Sequence, residues 1–229
     1  MTTTETYTKA KLIGCTQPVG DTSSTLRDIK ELIAYCARVS NPTNQNNTAT
    51  TDKLLQYLLK HKHFSPFEMS SATIEIETTR DIARQLLRHR SFSFQEFSQR
   101  YADPTTDLAF VIREARMQDT KNRQNSLVLD NETEDNRFLI AEWDRRQQEV
   151  IDLVKEHYKW AVGTGIAKEQ ARCILPEGNT MSRLYVNGTI RSYIHYLEVR
   201  MDVSTQLEHR VLALEVARAI NAVFNTGYV

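Results

Sequence analysis

The feature that most constrains the fold is one short run of alternating residues placed among helical patterns. Residues 72–77 alternate between apolar and polar side chains, as a strand buried on one face requires. The patterns around it are mostly helical, and two more short strands are predicted at Leu108–Ile112 and Arg183–Val186. Strands and helices therefore do not alternate as βαβ units. We expect an α+β fold, with a small, mostly antiparallel sheet packed against several helices.

Apolar residues at helical spacing predict seven helices. Their expected extents are 26–36, 54–59, 79–88, 140–161, 169–175, 189–200 and 207–224. Ser24 or Thr25 is the expected N-cap of the first helix, and Asp52 that of the second. The longest helix is predicted to have one apolar face, formed by Ile140, Trp143, Val150, Val154, Tyr158 and Ala161.

The connecting segments show no linker of Pro, Gly and Ser and no internal repeat. A single domain over residues 1–229 is therefore expected. Residues 117–136 are polar and rich in Asn and Asp, which predicts a mobile, variable loop. Asn187 and Gly188 are predicted to form a turn, after which Thr189 caps a helix that runs through Arg200.

The charge composition argues against a general polyanion binder and shows an excess of arginine over lysine. The chain has 29 Lys and Arg against 29 Asp and Glu, so it lacks the basic excess of a general polyanion binder. Arginine outnumbers lysine by 19 to 10. Arginine is the side chain suited to planar, bidentate recognition of phosphate and carboxylate.

Cysteine usage and hydropathy point to the cytoplasm. Cys15, Cys36 and Cys173 are far apart and form no CxxC pair, which fits a reducing compartment. No apolar run approaches the roughly 20 residues of a membrane span, and the polar start does not resemble a signal peptide. We expect a cytoplasmic protein that binds no membrane and no metal.

Glycine is scarce, which limits the kinds of nucleotide site. The 7 glycines include no GxxxxGK[ST] loop. The run Gly163-Thr-Gly165-Ile-Ala-Lys168 lacks the third glycine of the dinucleotide fingerprint and follows a helical pattern instead of a strand. A bound nucleotide would need side chains to hold its phosphates.

Arginine is densest in residues 80–101. Arg80, Arg84 and Arg88 are spaced to lie on one helix face, where like charges repel unless an anion or a carboxylate intervenes. Hydroxyl, amide, carboxylate and aromatic side chains follow directly in residues 91–101. This chemistry suits a ligand with a phosphate, a ring amide and sugar hydroxyls. Residue chemistry alone also allows a structural network of salt bridges.

The same segment carries a family signature. Arg88-His89-Arg90, seven residues and then Ser98-x-Arg100 resembles the RHR-x7-S-x-R motif of the flavin-dependent thymidylate synthases. Four other segments also resemble this family, and with the signature they lie within residues 34–224. They are Ala37-Arg38-Val39-Ser40, His63-Phe-Ser65-Pro66-Phe67-Glu68, Ala171-Arg172-x-x-Leu175-Pro176 and Arg191-Ser192-x-x-His195-x-x-x-x-Arg200.

The resemblance implies the thymidylate synthase-complementing protein fold and a reaction. These enzymes convert dUMP to dTMP, with methylenetetrahydrofolate as carbon donor, NADPH as reductant and bound FAD as hydride carrier. They are typically homotetramers whose active sites are shared between subunits, so self-association is implied here. A non-catalytic nucleotide- or RNA-binding protein that uses the same arginines is the alternative.

The resemblance also assigns residues to the two ligands. The implied dUMP contacts are Gln85, Leu86, Leu87, Arg88, Glu96, Phe97, Ser98, Gln99, Arg100, Arg172 and Arg200. The implied FAD contacts are Ser65, Arg88, His89, Arg90, Ser91, Glu96, Thr189, Ile190, Arg191 and His195. Arg200 is the implied catalytic residue, because it resembles the arginine that stabilises negative charge on the uracil ring. Ser204 stands where some members have a histidine.

Three smaller features have competing interpretations. His61 and His63 form either a metal pair or, as we favour, ordinary residues at a helix end. Cys173 is expected to pack inside an apolar helix and not to act as a nucleophile. An RNA-stacking surface would instead use Tyr185, Tyr193 and Tyr196 with Arg183 and Arg191.

Overall fold

The computed structural model describes residues 6–227. The first five residues, which form the predicted polar start, and the last two residues of the expected domain lie outside the described residues. In chain order the elements are β1 (Lys9–Cys15), α1 (Ile29–Ala37), α2 (Thr51–Lys60), β2 (Ser71–Thr79), α3 (Arg80–Leu86), β3 (Ser93–Glu96), α4 (Pro104–Asp107), β4 (Arg116–Gln118), β5 (Ser126–Val128), α5 (Glu134–Gly163), α6 (Lys168–Ala171), β6 (Met181–Thr189), α7 (Ile190–Arg200) and α8 (Leu207–Asn221).

The main sheet has four antiparallel strands in the order β1-β2-β6-β3. Apolar residues on one face of β2 and β6 are buried, among them Ile74, Ile76, Leu184 and Val186. They belong to the main core cluster, together with side chains of α1, α2, α3, α7 and α8. The predicted α+β fold is therefore confirmed, and its core lies between one sheet face and these helices.

Two strand-to-helix junctions fix where the helices begin. In the β2–β6 register, Ser71 pairs with Thr189 and Thr79 pairs with Met181. β2 continues into α3 directly after Thr79, and β6 continues into α7 directly after Thr189. Because the strands are antiparallel, α3 and α7 leave from opposite ends of the sheet. The Thr189 side chain accepts a hydrogen bond from the Ser192 backbone, which confirms the predicted cap.

Several boundaries differ from the prediction. Asp28, not Ser24 or Thr25, caps α1, because its carboxylate accepts from the Glu31 backbone. Leu108–Ile112 is not a strand and makes only the bridge Phe110–Thr180. Asn187 and Gly188 do not form a turn, since they pair with β2 inside β6. β1 and β3 were not predicted, because neither has a clear apolar alternation.

Residues 117–136, predicted as a loop, contain regular secondary structure. Strand β4 pairs with β5 in the register Arg116 to Val128, so the segment contains a two-stranded hairpin. We call residues 116–128 the hairpin. α5 begins at Glu134, where the Thr133 side chain accepts from the Asn136 backbone. The Asn and Asp residues mostly form turns, such as the contacts of Asp119 with residues 121, 122 and 125.

The predicted apolar face of α5 is only partly buried. Of its residues, Tyr158 and Ala161 are buried, but Trp143 is 44% exposed and Val150 47% exposed. Ile151, which the prediction did not include, is buried as well. The exposed apolar residues of α5 also include Phe138, Leu139, Leu153 and Trp160. This helix therefore has a second apolar surface that the chain itself leaves uncovered.

Two cysteine and histidine predictions can be compared with the structure. Cys173 is exposed in a short 3-10 turn, so the expectation that it packs in an apolar helix is wrong. His61 is the C-cap of α2 and its ring lies 4.3 Å from the Tyr57 ring, as expected of a helix-end residue. Within residues 6–227 no group of His, Cys, Asp and Glu is arranged to hold a metal ion, and no helix there has a long enough apolar stretch to cross a bilayer.

Candidate active site

The first cavity is lined by the two arginines of α3, Arg80 and Arg84. It has a volume of about 400 Å³ and is lined by Arg80, Arg84, Gln99, Glu169, Arg172, Cys173, Leu175 and Glu177. We call it the arginine cavity. It contains Gln99 and Arg172, two residues that the resemblance assigns to dUMP.

Carboxylates already face the guanidinium groups of this cavity. Arg84 Nε lies 2.5 Å and Arg80 Nε 3.7 Å from the same Glu177 oxygen. Arg88 is not on their helix face, because α3 ends at Leu86. The carboxylate of Glu177 thus offsets the repulsion between Arg80 and Arg84. Both interpretations of the arginine cluster have a basis here, since the salt bridges surround a concave site.

A buried amide in the arginine cavity lacks a hydrogen-bond partner. Gln99 is 3% exposed, and its Nε2 makes no hydrogen bond. A buried donor without a partner costs about 1–3 kcal/mol, so such groups are uncommon away from ligand sites. Since the side chain lines the cavity, a ligand oxygen there would complete its hydrogen bonding.

The segment after β3 forms one wall of the site. The Phe97 backbone donates to the Arg183 carbonyl at 2.8 Å, and Ser182 Oγ donates to Glu96 at 2.9 Å. Beyond them the Ser98 hydroxyl accepts from the Arg100 backbone at 3.4 Å. Arg100 reaches the Glu169 carboxylate at 3.5 Å. The S-x-R part of the motif therefore lies beside Glu169.

A second cavity lies where β6 passes into α7. It has a volume of about 380 Å³ and is lined by Phe64, Glu68, Ser91, Thr189, Arg191, Ser192, Ile194, His195 and Glu198. We call it the junction cavity. Four of the implied FAD residues line it, namely Ser91, Thr189, Arg191 and His195. Ser65 is adjacent in sequence to Phe64 and begins the 3-10 turn Ser65–Met69.

Local packing explains why the junction cavity has this shape. Arg191 forms an ion pair with Glu68, and Ser192 Oγ donates to the Ser91 carbonyl at 3.2 Å. Gly188 lies under the Phe92 ring, where an added Cβ would stand 2.3 Å from a ring carbon. The missing side chain at 188 therefore lets Phe92 pack against β6 directly beside Ser91.

His89 and Arg200 form a hydrogen-bonded pair. Arg200 Nε donates to His89 Nε2 at 2.8 Å, so that imidazole nitrogen carries a lone pair. Burial, reinforced by the nearby Arg200, lowers the pKa of His89 to about 4. His89 is neutral at pH 7 and orients the guanidinium through Nε. The two terminal amino groups of Arg200 remain for a ligand.

A buried histidine that sequence reasoning missed lies beside this pair. His209 is fully buried, and its ring centroid is 6.4 Å from that of His89. Burial, followed by the charge of Arg200, lowers the pKa of His209 to about 3. His209 Nδ1 bonds Gln85 at 3.2 Å, and Gln85 also bonds Gln206. The polar start of α8 gave no sign that these side chains would be buried.

Some of the predicted contact residues have side chains that point into the core. Leu86 is 1% exposed and Ile190 is fully buried, so either could reach a ligand only through its backbone. Leu87 is the C-cap of α3 and is partly buried, while Arg88 and Arg90 are exposed just beyond it. The assignment of these residues to dUMP and FAD stays a prediction.

The RNA-stacking interpretation is contradicted. Tyr193 and Tyr196 are each 1% exposed in the main core, and only Tyr185 is on the surface. Arg183 forms an ion pair with Glu77 across the sheet. No row of aromatic rings is therefore presented for stacking at this surface.

Comparison with known proteins identifies the family. The profile described as "Thymidylate synthase complementing protein" matches residues 23–225. A probable flavin-dependent thymidylate synthase of Paramecium bursaria Chlorella virus 1 is 47% identical over 94% of this chain and 93% of its own length. A flavin-dependent thymidylate synthase of Synechocystis sp. is 50% identical over 85% of this chain and 86% of its own length.

The fold agrees with that result. A UMP/dUMP methylase, PolB from Streptomyces cacaoi, solved with bound 5-Br dUMP, superposes with a TM-score of 0.76. The match covers 96% of this chain and 93% of that one, at 24% identity. The chain therefore belongs to the thymidylate synthase complementing protein family, the family of the flavin-dependent thymidylate synthases.

Proposed function

We propose that this protein methylates dUMP reductively to dTMP, with methylenetetrahydrofolate as carbon donor, NADPH as reductant and FAD as bound cofactor. Its membership of the family makes it a flavin-dependent thymidylate synthase and a methyltransferase. One observation supports the detailed proposal most strongly. Two residues assigned to dUMP, Gln99 and Arg172, line the arginine cavity, and four residues assigned to FAD line the junction cavity, namely Ser91, Thr189, Arg191 and His195.

The junction cavity has the chemistry that FAD requires. Arg191 offers a cation for the diphosphate, and the hydroxyls of Ser91 and Thr189 and the ring of His195 offer further polar contacts. The rest of the set implied by the resemblance is Ser65, Arg88, His89, Arg90, Glu96 and Ile190. Bound FAD would supply the redox chemistry, as carrier of the two electrons that NADPH provides.

The arginine cavity suits the phosphate of dUMP. Arg172 lines the cavity and would provide a charge-assisted donor, and the unpartnered Nε2 of Gln99 would provide a neutral one. The resemblance assigns Arg88 and Arg100 to dUMP as well, although neither lines this cavity. Ser98 lacks a neighbouring base and serves as a ligand-binding hydroxyl and not as a nucleophile. The phosphate would be held entirely by side chains and nearby backbone, in agreement with the scarcity of glycine.

Arg200 would activate the pyrimidine. Its terminal amino groups, oriented by neutral His89, would lie against the uracil ring and stabilise negative charge that develops there. That charge makes C5 of the ring nucleophilic without an enzyme thiolate. Burial raises the pKa of the Cys36 thiol, which disfavours the thiolate that a nucleophilic role for Cys36 would need.

The proposal is tested on the purified protein. We expect a flavin absorbance in the visible spectrum and NADPH oxidation that depends on both dUMP and methylenetetrahydrofolate. A colourless protein that remained inactive after reconstitution with FAD would refute it. Binding of dUMP without any turnover would instead favour the non-catalytic nucleotide-binding alternative.

We also propose a single domain over residues 1–229 that assembles as a cytoplasmic homotetramer with shared active sites. The second apolar surface of α5, which includes Trp143, Val150 and Trp160, supports the assembly. Isolated apolar side chains on a surface are ordinary, but this group is contiguous along one helix. Light scattering coupled to size-exclusion chromatography should give about four times the 26.4 kDa chain mass.

A further inference from the structure

Three polar side chains, Arg116, Glu208 and Gln206, connect the hairpin to the nucleotide residue Gln85. Arg116, at the start of the hairpin, forms an ion pair with Glu208, which is fully buried. The other Glu208 oxygen accepts from Gln206 Nε2 at 2.9 Å. Gln206 Oε1 in turn accepts from Gln85 Nε2 at 2.8 Å, and Gln85 Oε1 lies 3.2 Å from His209 Nδ1.

The hydrogen bonds of this chain can run in one direction only. An ionised carboxylate accepts and never donates, so Gln206 must turn its amino group to Glu208 and its oxygen to Gln85. Gln85 must then turn its amino group to Gln206 and its oxygen to His209. Neutral His209 carries its single proton on Nδ1. The charge of Glu208 therefore fixes two amide orientations and one histidine tautomer.

The consequence for a ligand lies at Gln85. One hydrogen of its amino group is used by Gln206, which leaves the second hydrogen as a donor beside the signature residues. If the amide were flipped, it would present its oxygen and repel a phosphate or a carbonyl oxygen. Which group Gln85 presents is thus decided at Glu208, two side chains away.

We propose that Glu208 and Gln206 are positioning residues for dUMP, which hold the Gln85 amide as a hydrogen-bond donor to an acceptor oxygen of the nucleotide. This inference rests on the proposed function, because it takes Gln85 as a dUMP contact. It gives Arg116 and the hairpin a role as well. The ion pair with Arg116 places a positive charge beside the fully buried Glu208 carboxylate and so compensates for its burial.

Two substitutions test the orientation. Glu208→Gln keeps the size of the side chain but lets the chain of amides reverse, because Gln can donate as well as accept. Gln206→Met removes the link between Glu208 and Gln85 and leaves the buried ion pair intact. For both variants we expect the Kd for dUMP, measured by titration calorimetry on the flavin-loaded protein, to rise about three- to tenfold, as for the loss of one hydrogen bond.

Steady-state kinetics distinguish a positioning role from a merely structural one. We expect the KM for dUMP to rise in Gln206→Met, while kcat at saturating dUMP, flavin content and Tm stay close to those of the parent. Glu215→Gln is the matched control, because it is the same change on the same helix in an exposed ion pair with Arg218. Its Kd should equal that of the parent.

The outcomes separate this inference from the proposed function. A parent protein that binds no dUMP overturns both. A parent that binds dUMP, with Gln206→Met binding as tightly, overturns the positioning role alone. If Glu208→Gln is too unstable to purify, Gln206→Met decides the question.

Discussion

Substitution of Arg200 by alanine should separate catalysis from cofactor binding. The substitution removes the guanidinium whose Nε donates to His89 at 2.8 Å and whose terminal amino groups are available to the pyrimidine. Arg200 is not among the residues that line the junction cavity. We therefore expect the variant to retain FAD while it loses turnover.

The size of the loss follows from the role assigned to the guanidinium. Removal of one preorganised donor that stabilises developing negative charge lowers kcat by about 100- to 1000-fold in other enzymes. Arg200 brings a full charge in a partly buried position, so a loss at the upper end of this range is expected. Arg200→Lys keeps the charge, but a lysine cannot both bond His89 and face the ring as a planar fork. The kcat of this variant should therefore lie between those of Arg200→Ala and the parent.

The assay compares flavin content with dUMP-dependent NADPH oxidation at saturating dUMP. Arg210→Ala is the control, since Arg210 makes its hydrogen bond to the Val203 carbonyl away from both cavities. If Arg200→Ala kept its flavin and turned over within about threefold of the parent, Arg200 would not activate the pyrimidine. If flavin and activity were lost together, Arg200 would serve the cofactor site and not the ring.

Three further predictions concern packing, acid stability and the arginine cavity. Gly188→Ala should displace Phe92, cost about 1–3 kcal/mol of unfolding free energy and lower flavin content, as measured by urea denaturation and absorbance; unchanged values would contradict the packing argument. The pKa of His209 is lowered to about 3 in the folded protein, against about 6.5 in the unfolded chain. The unfolded chain therefore binds a proton below pH 6.5 that the folded protein does not bind. The free energy of unfolding should fall by up to about 1.4 kcal/mol per pH unit as the pH drops below 6.5. His209→Gln should flatten this decline in urea midpoints while exposed His157→Gln should not, and equal slopes in both would refute the assignment. Glu177→Gln should tighten dUMP binding up to about fivefold, because it removes a half-exposed competing carboxylate; weaker binding in calorimetry would show that Glu177 supports the site instead.

The parts of the fold that could be predicted are those with strong local periodicity. The alternation in residues 72–77 gave β2, and helical spacing together with Thr189 gave α7. β1 and β3 escaped prediction because their stability comes from pairing with β2 and β6, which local sequence does not record. The predicted turn at Gly188 is wrong for a related reason. The glycine allows close packing against Phe92 and does not form a turn.

The candidate site was predictable where chemistry is concentrated in motifs. The signature and the two later arginine segments supplied residues for both cavities, among them Gln99, Arg172 and Arg191. The residues around Gln85 could not be predicted in the same way. Gln206 and His209 begin an amphipathic helix, and polar residues at a helix start are ordinarily exposed. Only the packing against α3 shows that His209 is buried and Gln206 partly buried.

The carboxylates that face the arginines change what ligand binding means here. Arg84 is 2.5 Å from Glu177, Arg100 is 3.5 Å from Glu169, and Arg191 pairs with Glu68. A phosphate that approaches Arg84, Arg100 or Arg191 therefore has to displace an internal carboxylate. Binding then replaces one anion with another at each arginine, and it is favoured because a phosphate dianion carries more negative charge than a carboxylate. Such a site should discriminate by the charge of the phosphate, and its affinity should depend less on salt than its number of arginines suggests.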